Sequence, residues 1–339
     1  MKLKFKKIRD ICKEKFINVN FDKACLLLVG SYVGGYETLK SDLDLILIIE
    51  EYEDFYSKYN YLVEVIDGVR VEILLMTPDY YLNCLSDIYK KGVCRDLHRS
   101  HKFTNNKVVL GEEYYNELVV NFDFKAYLGK QVERFQRKAA NTFEDILGVD
   151  SNLALLQFWQ RDLINLIIDC FLYKKEDFFD KTKWRVERLK KNIKINEKFI
   201  LDDYIKYMLY SSVINKESIW VNDTTVFLNR IQLISLFKIS DKSLYYLSIL
   251  SKSSCVQVMP YLIVRVGGVY VLYGKDKSYK IDDITSILFL ITYGICLDED
   301  KMYLILKFFE YSNFSINQLA ILKFIEKFSS LKSFEINRV

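Results

Sequence analysis

The chain has 339 residues, half of them hydrophobic, with 49 Lys and Arg against 45 Asp and Glu, a net charge of +4. That length predicts two or three domains, each able to bury a core, and the charge is too mild to imply nucleic-acid binding on bulk charge alone. Only 2 prolines and 12 glycines argue for long regular elements and against disordered linkers. The 7 cysteines stand singly with no Cys-x-x-Cys spacing, and with 2 histidines a zinc cluster is not expected. Reduced core cysteines are expected instead. The basic N-terminus has no apolar signal core. The longest mostly apolar run, Ile287 to Leu297, is too short to cross a bilayer. The expectation is a soluble cytoplasmic protein with no membrane partner.

In chain order, residues 1–17 read as an amphipathic helix, with Leu3, Phe5, Ile8, Ile11, Cys12 and Phe16 near helical spacing. An apolar strand follows at Ala24 to Val29, then a Gly30-Ser31 turn, then a second strand at Leu43 to Ile49. Tyr61 to Ile66 and Val69 to Met76 flank Asp67-Gly68, a strong hairpin signal. Thr77-Pro78-Asp79 ends the sheet and starts a helix through Lys91, and residues 107–111 read as one more strand. Residues 124–147, 152–173, 182–192, 196–213 and 225–238 have helical periodicity. The tail reads as three short strands (259–266, 269–274, 278–281) and three helices (283–295, 298–311, 315–330). A small meander leading into helices suggests a winged-helix-like module. The predicted domains are 1–122, 123–240 and 241–339.

The chemistry concentrates between Gly30 and Asp44. Gly30 lets the chain pass close to a phosphate, and Ser31 adds a hydroxyl and a backbone N–H. Asp42 and Asp44 stand two apart at a strand start, so both carboxylates share a face and suit a common Mg²⁺, a hard cation. Glu72, on a neighbouring strand, could complete a carboxylate trio, taking a proton from an acceptor hydroxyl or binding a second metal. Glu64, in Val63-Glu64-Val65, is its rival, because both acids fit the alternation.

Gly30, Ser31, Gly35, Ser41, Asp42, Asp44 and Glu72 together resemble the signature of the nucleotidyltransferase superfamily related to DNA polymerase beta. The minimal and antibiotic nucleotidyltransferases look closest. Gly34 stands where arginine is common in those families. The resemblance covers roughly residues 20–77. It implies an α/β (α+β) nucleotidyltransferase domain with a mixed sheet, to which the helical periodicity adds an all-helical domain and the pattern of the tail a small winged-helix-like β/α module. It also implies two-metal Mg²⁺ chemistry, with transfer of a nucleoside monophosphate, AMP from ATP, to an acceptor hydroxyl and release of pyrophosphate. Phe178 to Leu189 is similar to the Lys-Trp segment of aminoglycoside nucleotidyltransferases, which implies a phosphate-facing role for Lys183. The tail resembles the recognition element of enzymes that modify ribosomally made peptides, in which a leader peptide joins the sheet edge.

The acceptor is open at this level. A small molecule such as an aminoglycoside-type antibiotic, or a peptide, is favoured. A toxin-type activity on tRNA or protein would need a basic surface, for which Lys90, Lys91, Arg95, Arg99 and Lys102 are candidates. A catalytically silent nucleotide-binding scaffold is the alternative from another class. His98 and His101 read as part of a solvated basic stretch, and Trp159, Trp184 and Trp220 as core aromatics.

Overall fold

The computed structural model describes residues 5–38, 41–50, 59–66, 68–91, 100–148, 153–177, 179, 181–209, 217–250, 261–274, 278–293, 299–312, 314 and 316–328. Its contacts form two compact units: Met1–Lys130 with Phe178–Trp184, and Gln131–Asp177 with Arg185–Val339.

The first unit contains α1 (Phe5–Lys15), β1 (Ala24–Val29), α2 (Ser31–Gly34), β2 (Leu43–Ile49), β3 (Tyr59–Ile66), β4 (Val69–Met76), α3 (Pro78–Lys91), α4 (Ser100–Thr104), β5 (Lys107–Leu110) and α5 (Glu112–Val119). The five strands form a mixed sheet in the order β3-β4-β2-β1-β5. β2 and β4 run parallel; the other neighbours are antiparallel. All six residues of β1 are buried, which is why this strand reads as a continuous apolar run rather than an alternation. Leu27, Ile46 and Leu74 face one core with Tyr81 and Leu85 of α3 and Phe103 of α4. Leu26, Leu45 and Ile73 face the opposite core with Ile8 and Cys12 of α1. Burying each such side chain contributes about 1.5–3 kcal/mol.

The second unit takes in most of α6 (Phe124–Leu147), then α7 (Leu153–Lys174), α8 (Arg185–Asn192), α9 (Lys198–Leu209), α10 (Glu217–Leu236), α11 (Asp241–Leu250), β6 (Leu262–Val266), β7 (Val269–Tyr273), β8 (Ser278–Ile281), α12 (Asp283–Thr292), α13 (Glu299–Glu310) and α14 (Gln318–Phe328). The three strands form an antiparallel sheet in the order β6-β7-β8. The predicted boundary at residue 240 falls inside this unit, and one hydrophobic core runs from Phe143 through Leu228 and Val264 to Phe308.

Side-chain amides close the outer edge of β6. Asn229 donates to the Tyr261 carbonyl at 2.7 Å and accepts from the Ile263 N–H at 3.2 Å. Gln232 donates to the Ile263 carbonyl at 2.9 Å and exchanges hydrogen bonds with Gln136, which accepts from the Arg265 N–H at 3.3 Å. These amides satisfy strand groups that burial would otherwise leave unpaired. A second buried network joins α7 and α8. Arg185 and Arg188 both bond Asp169, Arg188 also bonds Asp177, and Asn192 donates to Asp177 at 2.6 Å. Burial opposes the Arg185 charge, yet the Asp169 hydrogen bonds and charge outweigh it and hold the guanidinium above its usual pKa.

Cys12, Cys25, Cys84 and Cys170 are buried and form no disulfide, and burial pushes the Cys12 and Cys25 thiols up to about 12. Among the described residues, no helix is long and apolar enough to cross a membrane.

Candidate active site

Strand register sets the site. Asp44 of β2 stands opposite Glu72 of β4, and Glu72 stands opposite Val63 of β3. Register partners point to the same face of a sheet, so Asp44, Glu72 and Val63 form one row. The next row, Ile46, Leu74 and Tyr61, lies on the α3 side of the sheet. Glu64 pairs with Val71, whose side chain belongs to the opposite core. Glu72, rather than Glu64, therefore shares a face with Asp44.

Glu72 is held from two sides. The Arg70 guanidinium lies 2.9 Å from one carboxylate oxygen, and the Tyr61 hydroxyl donates to the other. Val63 and Val65 beside it are exposed, at 49% and 73%, so the edge-strand end of the row is apolar and open.

The turn after β1 is shaped by what it must accommodate. Gly30 has φ 76°, and a Cβ there would lie 2.1 Å from Asp44 Oδ2. Both the backbone conformation and the carboxylate packing thus require glycine. Ser31 opens α2, and Gly35 closes it in the left-handed conformation. Thr38 and Ser41 clasp the following loop: the Thr38 N–H donates to Ser41 Oγ at 2.8 Å, and the Ser41 N–H to the Thr38 carbonyl at 3.1 Å. Asp42 follows directly.

Gly34 also has a packing reason. A Cβ at this position would meet the Tyr36 ring at 2.5 Å. That ring is buried and stacks on Phe179 at 5.2 Å and on Trp184 at 6.1 Å between centroids. The aromatic seam seats Phe179 and Trp184 against the turn, and Phe178–Trp184 belongs to the first unit although its sequence neighbours do not.

These parts line one cavity of about 490 Å³, formed by Gly30, Ser31, Thr38, Ser41, Asp42, Asp44, Glu72, Lys102, Phe179, Lys181, Lys183 and Trp184. The residues expected from the sequence, Gly30, Ser31, Asp42, Asp44, Glu72 and Lys183, all lie on its wall. Lys102, Lys181 and Trp184 join them, although the sequence pattern put Lys102 on a basic surface and Trp184 in a core. Lys102 is buried, and its ammonium stands 2.6 Å from Asp44 Oδ1. Of the other surface candidates, Lys91 pairs with Asp87, while Arg95, His98 and Arg99 lie outside the described residues.

The donor set suits a divalent cation in kind: carboxylate oxygens, hard ligands, in a cavity of ligand-binding size. A cationic group already stands at Asp44, which shows the charge this carboxylate attracts. Among the described residues, however, no three His, Cys, Asp or Glu side chains gather closely enough to share an ion. Asp44 pairs with Lys102 and Glu72 with Arg70. Asp42 and Asp44 would hold a metal ion, with Glu72 as the third candidate ligand.

A Gly-Ser turn and two register-paired acids thus meet on a mixed sheet of an α/β domain. Residues 5–103 match the family model described as "Nucleotidyltransferase domain". This part of the chain is a domain of the nucleotidyltransferase superfamily. No curated protein matches the sequence.

Proposed function

We propose that this protein transfers a nucleoside monophosphate, AMP from ATP, to an acceptor hydroxyl and releases pyrophosphate. The observation that carries this reading is the meeting of Gly30, Ser31, Asp42, Asp44, Glu72 and Lys183 on one cavity wall. The Gly30-Ser31 turn receives the triphosphate through its backbone N–H groups and hydroxyl. Lys183 and Lys181 face the same cavity and oppose the phosphate charge. Asp42 and Asp44 hold Mg²⁺, which when bound neutralises charge developing between the attacking and leaving oxygens. Glu72, oriented by Arg70 and Tyr61, takes the acceptor proton or serves as a ligand to a second Mg²⁺. An acceptor hydroxyl reaching Glu72 along its row passes Val63, so an acceptor with an apolar portion fits this approach better than a bare polycation.

The acceptor class is a small molecule or a peptide. A peptide is favoured by one observation in the second unit. The β6 edge is closed by Asn229, Gln232 and Gln136, while no described strand pairs with the outer edge of β8. An extended leader segment would add at β8.

The test is incubation with each labelled nucleoside triphosphate and Mg²⁺, together with candidate small molecules, peptides and tRNA, followed by mass analysis of what gains a nucleotide. Asp42→Ala with Asp44→Ala should abolish pyrophosphate release in a folded protein. Unchanged turnover in that double variant would overturn the mechanism.

A further inference from the structure

The Lys102–Asp44 pair lies where the proposed chemistry needs a metal ligand. Lys102 Nζ is 2.6 Å from Asp44 Oδ1, and the two side chains are only 10% and 18% exposed. The other carboxylate oxygen, Oδ2, is packed on Gly30. Oδ1 is thus the oxygen engaged by the ammonium. The backbone beneath Lys102 is fixed. The Phe103 side chain is fully buried, and its carbonyl accepts from Asn106 Nδ2 at 2.9 Å and from the Tyr81 hydroxyl at 3.4 Å. The lysine stem, in contrast, has four rotatable carbons and a compact charge. Ser31 and Gly30, which receive the triphosphate, line the same cavity as Lys102.

We infer that Lys102 and a divalent cation compete for Asp44, and that Lys102 transfers to the triphosphate when the metal takes its place. The inference rests on the nucleotidyltransferase reading of Asp42 and Asp44. A metal ion arriving alone would have to displace an ammonium that is only 10% exposed, leaving a nearly buried charge without its partner. It would also face repulsion from that ammonium. A metal arriving with a triphosphate brings the anion that Lys102 needs. Lys102 is therefore a positioning residue that couples metal entry to nucleotide entry and disfavours a metal-loaded, nucleotide-free site.

The experiment measures Mn²⁺ affinity by calorimetry or electron paramagnetic resonance, with and without a non-hydrolysable ATP analogue, using the full chain. The wild-type protein should bind Mn²⁺ at least about tenfold more tightly with the analogue than alone. Lys102→Gln should bind Mn²⁺ alone about tenfold more tightly than wild type while binding the analogue more weakly. Lys102→Arg, which keeps the charge, should resemble wild type with Mn²⁺ alone. Lys102→Met provides a second neutral variant, and thermal melts establish which variants are folded. If a folded neutral variant binds Mn²⁺ alone no better than wild type, the competition is overturned. Asp44→Asn separates the two levels. If it leaves Mn²⁺ binding with the analogue unchanged, the metal-site reading itself fails. If it abolishes that binding while Lys102→Gln has no effect on Mn²⁺ alone, only the competition fails.

Discussion

Asp44 and Glu72 stand directly opposite each other across the parallel pairing of β2 and β4, and Val63 completes their row on the edge strand. Two acids 28 positions apart in sequence thereby reach one cavity, and neither depends on a flexible loop for its position.

The first prediction uses this register. Glu72→Gln keeps the size of the side chain and its Tyr61 and Arg70 neighbours but removes the charge. A fall of roughly 10²-fold or more in turnover is expected, as for loss of a general base, with a smaller change in the nucleotide KM. Glu64→Gln, on the opposite face, should leave turnover close to wild type. Steady-state pyrophosphate release by the two variants checks this, and equal losses would remove the assignment.

The second concerns Gly34. A methyl group here would meet the Tyr36 ring at 2.5 Å, and that ring is fixed by stacking on Phe179 and Trp184. Gly34→Ala should cost about 1–3 kcal/mol as an overpacking change. Combined with Tyr36→Ala it should cost less than the sum of the two single changes. Chemical denaturation of the four proteins measures the coupling. Additive losses would mean that the ring is not what excludes the side chain.

The third addresses the closed β6 edge. Gln232→Leu leaves the Ile263 carbonyl and the Gln136 amide without their partner, and a loss of about 1–3 kcal/mol is expected. Replacing Gln136 by Leu in the same chain should add less than its own single cost, since the pair exchanges hydrogen bonds in both directions. A denaturant midpoint unchanged in Gln232→Leu would contradict the role given to this amide.

The fourth is a pH dependence. Asp282 caps α12, accepting from the Thr285 N–H at 2.8 Å and from its hydroxyl at 2.9 Å. The Thr285 N–H is the main cause that holds this carboxyl below its usual pKa. A depressed folded-state pKa contributes stability above the ordinary carboxylate range and loses it as pH falls through the depressed value. Asp282→Ala should therefore cost about 1 kcal/mol at neutral pH, and the gap to wild type should narrow on acidification. Melting temperatures across a pH series test both parts. A gap that widens toward acid would reverse the sign.

The strands of the first sheet were legible because each is an uninterrupted apolar or alternating run bounded by Gly30, Asp42 or Thr77. The predicted spans at Ala24–Val29, Leu43–Ile49 and Val69–Met76 match the observed ones. The helices α5 and α11 were not read. Their apolar residues are mixed with tyrosines and acids, and packing against β1 and α13 completes them. Lys102 read as surface because it follows Arg95 and Arg99 in a basic stretch. No local pattern indicates that it reaches an aspartate 58 residues earlier.

The sequence by itself determined the kind of domain at residues 5–103. A Gly-Ser turn, two acids at period two and a later strand acid are local facts, fixed by backbone conformation and side-chain alternation. Tertiary structure decided what those groups face. Register put Glu72, and not Glu64, on the face of Asp44, because a sheet has two faces and pairing alone assigns them. Packing explained Gly34 through an aromatic seam with a segment some 145 residues away. The fold also brought Lys102 onto Asp44, since an ion pair between distant residues forms only where the chain places opposite charges together and shields them from water.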